Sequence, residues 1–201
     1  MMPILVVNSG SSSVKYQVQD VGSGDSLLEG LIERVTDHDE AFKKMLAEIA
    51  HSKIELSAVG HRVVHGGAKF SSPTVISEEV LAEIEALVPL APLHNPGNLA
   101  GIRAARAAFP ELLQVAVFDT AFHQTMPASS YRYAIDRKLE KQYGVRKYGF
   151  HGTSYSFVTN QSAKFLGIEQ QDFNAVILHL GNGASACAVK SGISFNTSMG
   201  M

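Results

Sequence analysis

Two apolar runs in this chain each stop at a loop rich in glycine, serine and asparagine, and another strand-like run follows each loop at once. Residues 4–7 lead into NSGSSS (8–13), and residues 175–180 lead into GNGAS (181–185). After the first loop, residues 14–19 alternate between apolar and polar side chains, which is the period of a half-buried strand. We therefore expect a strand, a tight loop and a returning strand in each of two domains, 1–121 and 122–201.

The rest of the chain alternates between helical and strand patterns, which is typical of an α/β layer fold. Ser77 and Asn95 are predicted N-caps, and Pro96 is placed to be the first residue of its helix. The predicted helices span 39–50, 78–88, 96–109, 136–143 and 153–166, and the other predicted strands span 27–35, 58–65, 113–118, 186–190 and 193–196.

Composition excludes several classes of protein. Of 201 residues, 45% are hydrophobic and 18% are charged, and the formal net charge is −2, which suits neither a disordered chain nor a basic surface for nucleic acid or anionic membranes. Cys187 is the single cysteine and is predicted to be a small core residue, so we expect no disulfide framework. Because the sequence has no apolar run of about 18 residues and no basic leader, we expect a cytoplasmic protein.

Both loops carry groups that phosphate oxygens prefer. Backbone amides and the hydroxyls of Ser11 and Ser13 stand in the first loop, with the ammonium of Lys15 just beyond it. The first loop lacks the Gly-Lys-Ser/Thr ending of a Walker A loop, and a strand rather than a helix follows it. In the second loop, 179–185, two glycines permit close approach to a ligand. A polar hairpin turn remains the alternative for each.

Four further residues stand where chemistry is expected. Arg62 lies on the strand face opposite His61 and can bind a carboxylate or phosphate bidentately, or form an ordinary surface ion pair. Asp119 ends an apolar strand, where α/β sheets bind ligands, although an aspartate there is also a common turn former. His94 and His151 lie in loops before helices and are either anion donors or structural residues.

Seven stretches of the chain together resemble the acetate kinase (acetokinase) family closely and in the family's order. They are VVNSGSSSVKY, GHRVVHGG, LAPLHNPGNLAGI, VAVFDTAFHQTMP, RKYGFHGTS, LHLGNGAS and NTSMGM. The resemblance implies an α/β fold of the ribonuclease-H-like type seen in actin, Hsp70 and sugar kinases, with a mixed sheet. It also implies the start of a second, similar, nucleotide-binding domain. The activity it implies is magnesium-assisted phosphoryl transfer between ATP and acetate, giving acetyl phosphate and ADP.

The resemblance also assigns roles to individual residues. Asp119, His151 and His94 match catalytic residues, Arg62 matches the arginine that binds the substrate carboxylate, and Asn8 matches the magnesium-site asparagine. The implied phosphate and nucleotide ligands are Lys15, Ser11, Ser13, His179, Leu180, Gly181, Asn182 and Gly183. Three positions depart from the usual family pattern: Ser9 replaces Ala or Cys, Tyr155 replaces a common His, and Asn196 replaces Asp.

The family runs to about twice this length, and the chain stops at Met201 without a terminal helix or polar tail. We therefore interpret the chain as an N-terminal fragment that is inactive alone, and we expect a homodimer when full length. Its expected partners are small molecules, with no nucleic acid and no membrane. Alternatives are a propionate or butyrate kinase, an Hsp70-like module in which ATP drives conformational change, and a catalytically silent fragment.

Overall fold

The computed structural model describes residues 1–10, 12–181 and 183–201. Ser11 and Asn182, both assigned to phosphate binding, lie outside the described residues. The chain forms two compact units. The first unit contains residues 1–65 and 73–117, and the second contains residues 66–72 and 118–201.

A mixed six-stranded sheet forms the centre of the first unit, as the α/β prediction requires. Its order is β3-β2-β1-β4-β6-β5. The strand β1 pairs in parallel with β4 and antiparallel with β2, while β2–β3 and β5–β6 are antiparallel. The strands are β1 (Pro3–Ser9), β2 (Ser13–Asp20), β3 (Ser26–Glu33), β4 (Ala58–Val63), β5 (Thr74–Val75) and β6 (Leu113–Phe118).

Alternation of side chains along these strands fixes which face of the sheet is buried. Buried residues of β1, β2 and β4, such as Leu5, Val14 and Val59, form one apolar cluster with Phe42 and Met45 of the first helix. The opposite face carries the polar residues at the ends of the same strands. The helices of the first unit are α1 (His38–Ser52), α2 (Glu78–Ala86) and α3 (Asn95–Ala108), with a 3₁₀ turn at Val88–Leu90.

The helix starts confirm one predicted cap and correct the other. The Ser77 hydroxyl accepts a hydrogen bond from the backbone N–H of Val80 at 3.3 Å, as an N-cap should. The prediction that Asn95 caps α3 is wrong, because His94 occupies the N-cap without a side-chain hydrogen bond and Asn95 is the first helical residue. The Asn95 amide is instead bound to the backbone of His65, as described below.

The second unit packs one long helix against a three-stranded antiparallel sheet, β7-β8-β9. The predicted hairpin around Ser191 and Gly192 is confirmed, since both residues have positive φ, 53° and 72°. Its elements are α4 (Ala128–Tyr131), α5 (Arg137–Tyr143), α6 (Gly152–Leu166), β7 (Ala175–Leu180), β8 (Ala184–Lys190) and β9 (Ile193–Thr197), with 3₁₀ turns at Ala121–Thr125 and Gln170–Asp172.

The core of the second unit lies between α6 and the buried face of this sheet. Tyr155 of α6 and Cys187 of β8 are both fully buried within it, which confirms the core prediction for the cysteine. Within the described residues, no helix is long and apolar enough to cross a membrane.

A glycine on β3 makes room for a buried aromatic ring on β2. Gly30 stands directly opposite Tyr16, and a Cβ on Gly30 would overlap the Tyr16 ring. We expect Gly30→Ala to lower the free energy of unfolding by about 1–3 kcal/mol, the usual cost of overpacking. Urea denaturation measures the effect. Gly60→Ala on β4 is the matched control, because its Cβ would have no atom nearer than 4.0 Å. Equal losses in the two variants would contradict this account.

Two buried histidines make the stability of the first unit depend on pH. Burial lowers the pKa of His61 and of His65 to about 4, whereas an unfolded histidine titrates near 6.5. Between these values the unfolded chain binds more protons, so stability falls as pH drops from about 6.5 to 4. Each histidine contributes up to about 1.4 kcal/mol per pH unit to the slope of the free energy of unfolding against pH.

Urea midpoints measured between pH 7 and pH 4.5 test this dependence. We expect His61→Gln to make the pH slope shallower, and adding His65→Gln to make it shallower again. A double variant that keeps the slope of the unsubstituted chain would show that other groups control it.

Candidate functional site

Three polar residues form a row across adjacent strands of the first unit. Asn8 near the end of β1 stands opposite Lys15 of β2, and the Arg62 guanidinium on β4 donates a hydrogen bond from Nη1 to Asn8 Oδ1 at 3.0 Å. His61, the neighbour of Arg62, points to the buried face and bonds Gln114 through Nε2 at 2.9 Å. Because side chains alternate along a strand, Arg62 faces the opposite way, as predicted.

Two asparagines of α3 bind the strand ends that carry this row. Asn98 donates to the carbonyl of Ser9 at 2.5 Å and accepts from the amide of Val64 at 2.9 Å, so one buried side chain joins the ends of β1 and β4. Asn95 accepts from the His65 amide at 3.2 Å and donates to its carbonyl at 3.1 Å. The sequence pattern predicts neither role, since it places Asn95 only at a helix start and assigns no function to Asn98.

The first loop is closed by backbone contacts. The Gly10 amide donates to the Ser13 carbonyl at 2.8 Å, and His38 Nε2 lies 2.9 Å from the Gly10 carbonyl. The hydroxyl of Ser9, one of the departures from the family pattern, is buried and has no hydrogen-bond partner in the described part of the chain. His94 stands exposed at the N-cap of α3.

In the second unit, the start of α6 meets the residue that follows β6. The Gly152 amide donates to the Asp119 carbonyl at 2.9 Å, and a Cβ on Gly152 would overlap that carbonyl. Thr153 Oγ1 lies 3.5 Å from the Asp119 carboxylate. His151, the N-cap, has φ of +60°, a conformation that costs a residue with a side chain about 1–3 kcal/mol and clusters at functional sites.

The His151 ring is held by two groups. Nδ1 lies 2.8 Å from Ser185 Oγ on β8, and the ring stacks on His179 of β7 with centroids 4.1 Å apart and an interplanar angle of 25°. His179 Nδ1 lies 3.0 Å from Ser154 Oγ. The Cε1–Nε2 edge of the His151 ring faces Gly183, because a Cβ built on Gly183 would stand 3.7 Å from Cε1 and 3.9 Å from Nε2. Residues from β7 and β8 thus hold the imidazole that stands at the start of α6.

His123 belongs to the same motif as Asp119 but has a structural role. It is fully buried, with Nδ1 2.8 Å from Ser194 Oγ and Nε2 3.0 Å from the Phe150 carbonyl. Burial lowers its pKa, and the backbone contact with Phe150 and the charge of Asp119 oppose that shift.

Within each unit the structure therefore gathers part of the predicted site. In the first unit Asn8, Lys15 and Arg62 share one face. In the second, Asp119, His151 and His179 surround the start of α6, and the Gly181 amide closes the second loop on the Gly183 carbonyl at 3.1 Å. Leu180 ends β7 with its side chain exposed. The roles assigned to all these residues stay predictions.

The sequence model of the acetokinase family matches residues 3–48 and 34–201, two overlapping segments that together span nearly the whole chain. The chain belongs to the acetokinase family. Curated acetokinase relatives include the acetate kinase of Streptomyces coelicolor, 51% identical over 227 aligned positions, and that of Leifsonia xyli, 51% identical over 228. These alignments cover 98% and 100% of this chain.

Solved acetokinase structures share the fold of the chain. The acetate kinase of Porphyromonas gingivalis matches with a TM-score of 0.93 at 39% identity, and a propionate kinase of Francisella tularensis matches with 0.89 at 44%. Each match covers all of this chain and 58% of the other. The expected actin, Hsp70 and sugar-kinase type of fold is thereby confirmed. The chain spans a little over half the length of the acetokinase relatives that it matches.

The Asn98 contacts are expected to stabilise the first unit. Asn98→Ala leaves the Ser9 carbonyl and the Val64 amide buried without their partner, which should cost about 2–4 kcal/mol in the free energy of unfolding. Urea denaturation measures the loss. Arg103→Ala on the same helix is the control, because its ion pair with Glu85 is largely exposed and such pairs contribute about 0–1 kcal/mol. A loss at Asn98 no larger than at Arg103 would show that the strand ends do not depend on this side chain.

Proposed function

We propose that the chain forms the N-terminal part of an acetate kinase, which transfers the γ-phosphoryl group of ATP to acetate and yields acetyl phosphate and ADP. The observation that carries the proposal is the cluster at the start of α6. There, Asp119, His151 and His179 meet beside a glycine-containing loop in a chain about half identical to acetate kinases. Phosphoryl transfer needs positioning and charge stabilisation more than covalent help, and this cluster offers both.

The second unit would bind the transferring phosphoryl group. The imidazole of His151 supplies a donor beside Gly183, where a small residue lets a phosphate approach the ring. The His151 ring is fixed by stacking on His179 and by its contact with Ser185, so little reorganisation is needed when charge develops. We assign nucleotide phosphate binding to the same loop, 179–183.

The first unit would bind the carboxylate. Arg62 is the guanidinium of the polar row, and its planar fork matches a carboxylate in a bidentate geometry. Asn8 holds Arg62 through Nη1. A carboxylate substrate is ionised at neutral pH, so no residue has to remove a proton from it.

Magnesium is part of the proposed reaction, since Mg²⁺ neutralises charge on the phosphate oxygens. Mg²⁺ takes oxygen ligands and keeps several waters, and the Asp119 carboxylate beside the Thr153 hydroxyl suits it. Asn8 Oδ1, which the resemblance assigns to the metal, accepts a hydrogen bond from Arg62. In the described part of the chain, no group of three or more His, Cys, Asp or Glu side chains is placed to hold a metal. We therefore propose Asp119 as the principal protein ligand and Asn8 as the residue that orients Arg62.

A propionate kinase is the second candidate, because one of the structural relatives bears that name at 44% identity. One methylene in an apolar pocket changes the discrimination by only about 1–3 kcal/mol, so the substrates must be compared directly. The cytoplasmic location and the homodimer of the longer protein stay expectations from the family resemblance.

Two proteins test the proposed activity: the 201-residue chain, and the same chain completed with the C-terminal part of the Streptomyces coelicolor enzyme. We expect acyl phosphate formation from the completed protein, with acetate preferred over propionate and butyrate at equal concentration. We expect none from the chain alone. A folded completed protein that hydrolyses ATP without any carboxylate dependence would favour the Hsp70-like alternative.

Arg62→Ala in the completed protein should raise the KM for acetate on the order of 10- to 100-fold, the equivalent of one charge-assisted hydrogen bond. Arg62→Lys should restore binding only in part, because the fork geometry is lost. The KM for ATP serves as the internal control and should change little. An unchanged KM for acetate would remove Arg62 from the substrate site.

Substitutions at Asp119 and at His151 should change the steady-state kinetics of the completed protein in different ways. Asp119→Asn is expected to lower kcat severely and to weaken the dependence of the rate on magnesium, because an amide carries no charge. His151→Ala should lower kcat about 100- to 1000-fold with little change in either KM, the pattern of an interaction made in the transition state. Near-normal kcat for Asp119→Asn at every magnesium concentration would contradict the assignment.

A further inference from the structure

Tyr155, Ser185 and His151 form a continuous row of hydrogen-bonding groups inside the second unit. Tyr155 Oη lies 2.5 Å from Ser185 Oγ, and Ser185 Oγ lies 2.8 Å from His151 Nδ1. Tyr155 is fully buried, and Ser185 is 6% exposed. Water therefore competes poorly for the phenol and the serine hydroxyl, and buried donors of this kind are nearly always hydrogen-bonded to a protein partner.

The number of protons on each group determines which one donates and which one accepts along the row. Tyr155 Oη is a buried phenol whose hydrogen-bond contact is Ser185 Oγ. The phenolic proton then needs an acceptor, and Ser185 Oγ provides it. Because a serine hydroxyl carries a single proton, that proton is left to donate to His151 Nδ1. In the reverse direction, the phenolic proton would have no hydrogen-bond acceptor among the contacts of the described residues.

A nitrogen that accepts a hydrogen bond in a neutral imidazole leaves the proton on the other nitrogen. With Nδ1 as the acceptor, the proton resides on Nε2, and Nε2 lies on the ring edge that faces Gly183. A neutral phenol has no tautomers, since its single proton stays on the oxygen.

We propose that Tyr155 and Ser185 are positioning residues that hold His151 as the Nε2–H tautomer, so that a fixed N–H donor faces the loop of Gly183. The inference rests on the proposed function for its purpose, since a phosphoryl group accepts hydrogen bonds and never donates one when fully ionised. A tautomer with a bare Nε2 would turn a lone pair toward those oxygens instead.

Nitrogen-15 NMR of the histidine-labelled 201-residue chain tests the proposal without any ligand or turnover. At a pH where the imidazole is neutral, two-bond and three-bond correlations distinguish a protonated ring nitrogen from an unprotonated one. The His151 signals are assigned by their loss in His151→Gln. We expect His151 to show an unprotonated Nδ1 and a protonated Nε2, with no averaging between them.

Two variants should allow His151 to exchange between its two tautomers. Ser185→Ala removes the donor to Nδ1. Tyr155→Phe keeps the packed ring but removes the proton that fixes the serine, so Ser185 can then accept from Nδ1–H. In both, the two His151 nitrogen shifts should move toward each other. Ser154→Ala is the matched control, since its hydroxyl contacts His179 and the His151 shifts should stay in place.

Identical His151 shifts in the unsubstituted chain and in Tyr155→Phe would overturn the proposal, as would a protonated Nδ1 in the unsubstituted chain. The tautomer is measured without substrate, so failure of the proposed kinase activity leaves this result standing. Conversely, a mixture of His151 tautomers would overturn this proposal and would not decide whether the completed protein forms acyl phosphate.

Discussion

The hydrogen bond between the Gly152 amide and the Asp119 carbonyl is the contact on which the second unit's site depends. It brings the first turn of α6 against the residue after β6, at a distance that only a residue without a Cβ allows. Because His151, Thr153 and Ser154 flank Gly152, their side chains reach Ser185, Asp119 and His179 in turn. A larger residue at position 152 would displace all three contacts together.

This arrangement requires an unfavourable backbone conformation at the residue before Gly152. His151 has a left-handed conformation that favours glycine, and the ring contacts offset the strain. Gly149, two residues earlier, also has positive φ, and a Cβ there would stand 2.7 Å from the buried His123 ring. His123 therefore acts as a packing surface for the segment that presents His151. Both of its ring nitrogens lie within hydrogen-bond distance of protein groups, Ser194 Oγ and the Phe150 carbonyl.

Much of the fold could be predicted from sequence because its signals are local. The period of two along β2, the Ser77 cap and the positive-φ pair at Ser191 and Gly192 each depend on a few neighbouring residues. The Asn95 error has the opposite origin. Its amide binds the backbone of His65, 30 positions earlier, and no local pattern encodes that partner. The strand β5 was missed because two residues are too few to show a period.

The same distinction applies to the candidate site. The residue types and their order along the chain pointed to Arg62, Asp119 and His151, but not to what holds them. Asn98, Ser185 and Tyr155 each act through a contact 30 or more positions away, so only the folded chain reveals them. Residues that touch a ligand are constrained in type by its chemistry, and motifs record that constraint. Residues that position the ligand-binding side chains are constrained by geometry. Many different sequences can satisfy a geometric constraint.

The proposed carboxylate acceptor has a physical consequence for the groups that each unit must supply. A hydroxyl acceptor must lose a proton as the phosphoryl group arrives, and that requires a base with a free lone pair beside it. A carboxylate acceptor such as acetate is already ionised, so the proposed reaction needs cations and N–H donors that stabilise negative oxygens. Arg62 is permanently charged. His151, held as an N–H donor, offers no lone pair at Nε2 and cannot act there as a base. The hydrogen-bond row behind His151 thus fits a reaction in which charge must be stabilised and no proton moved.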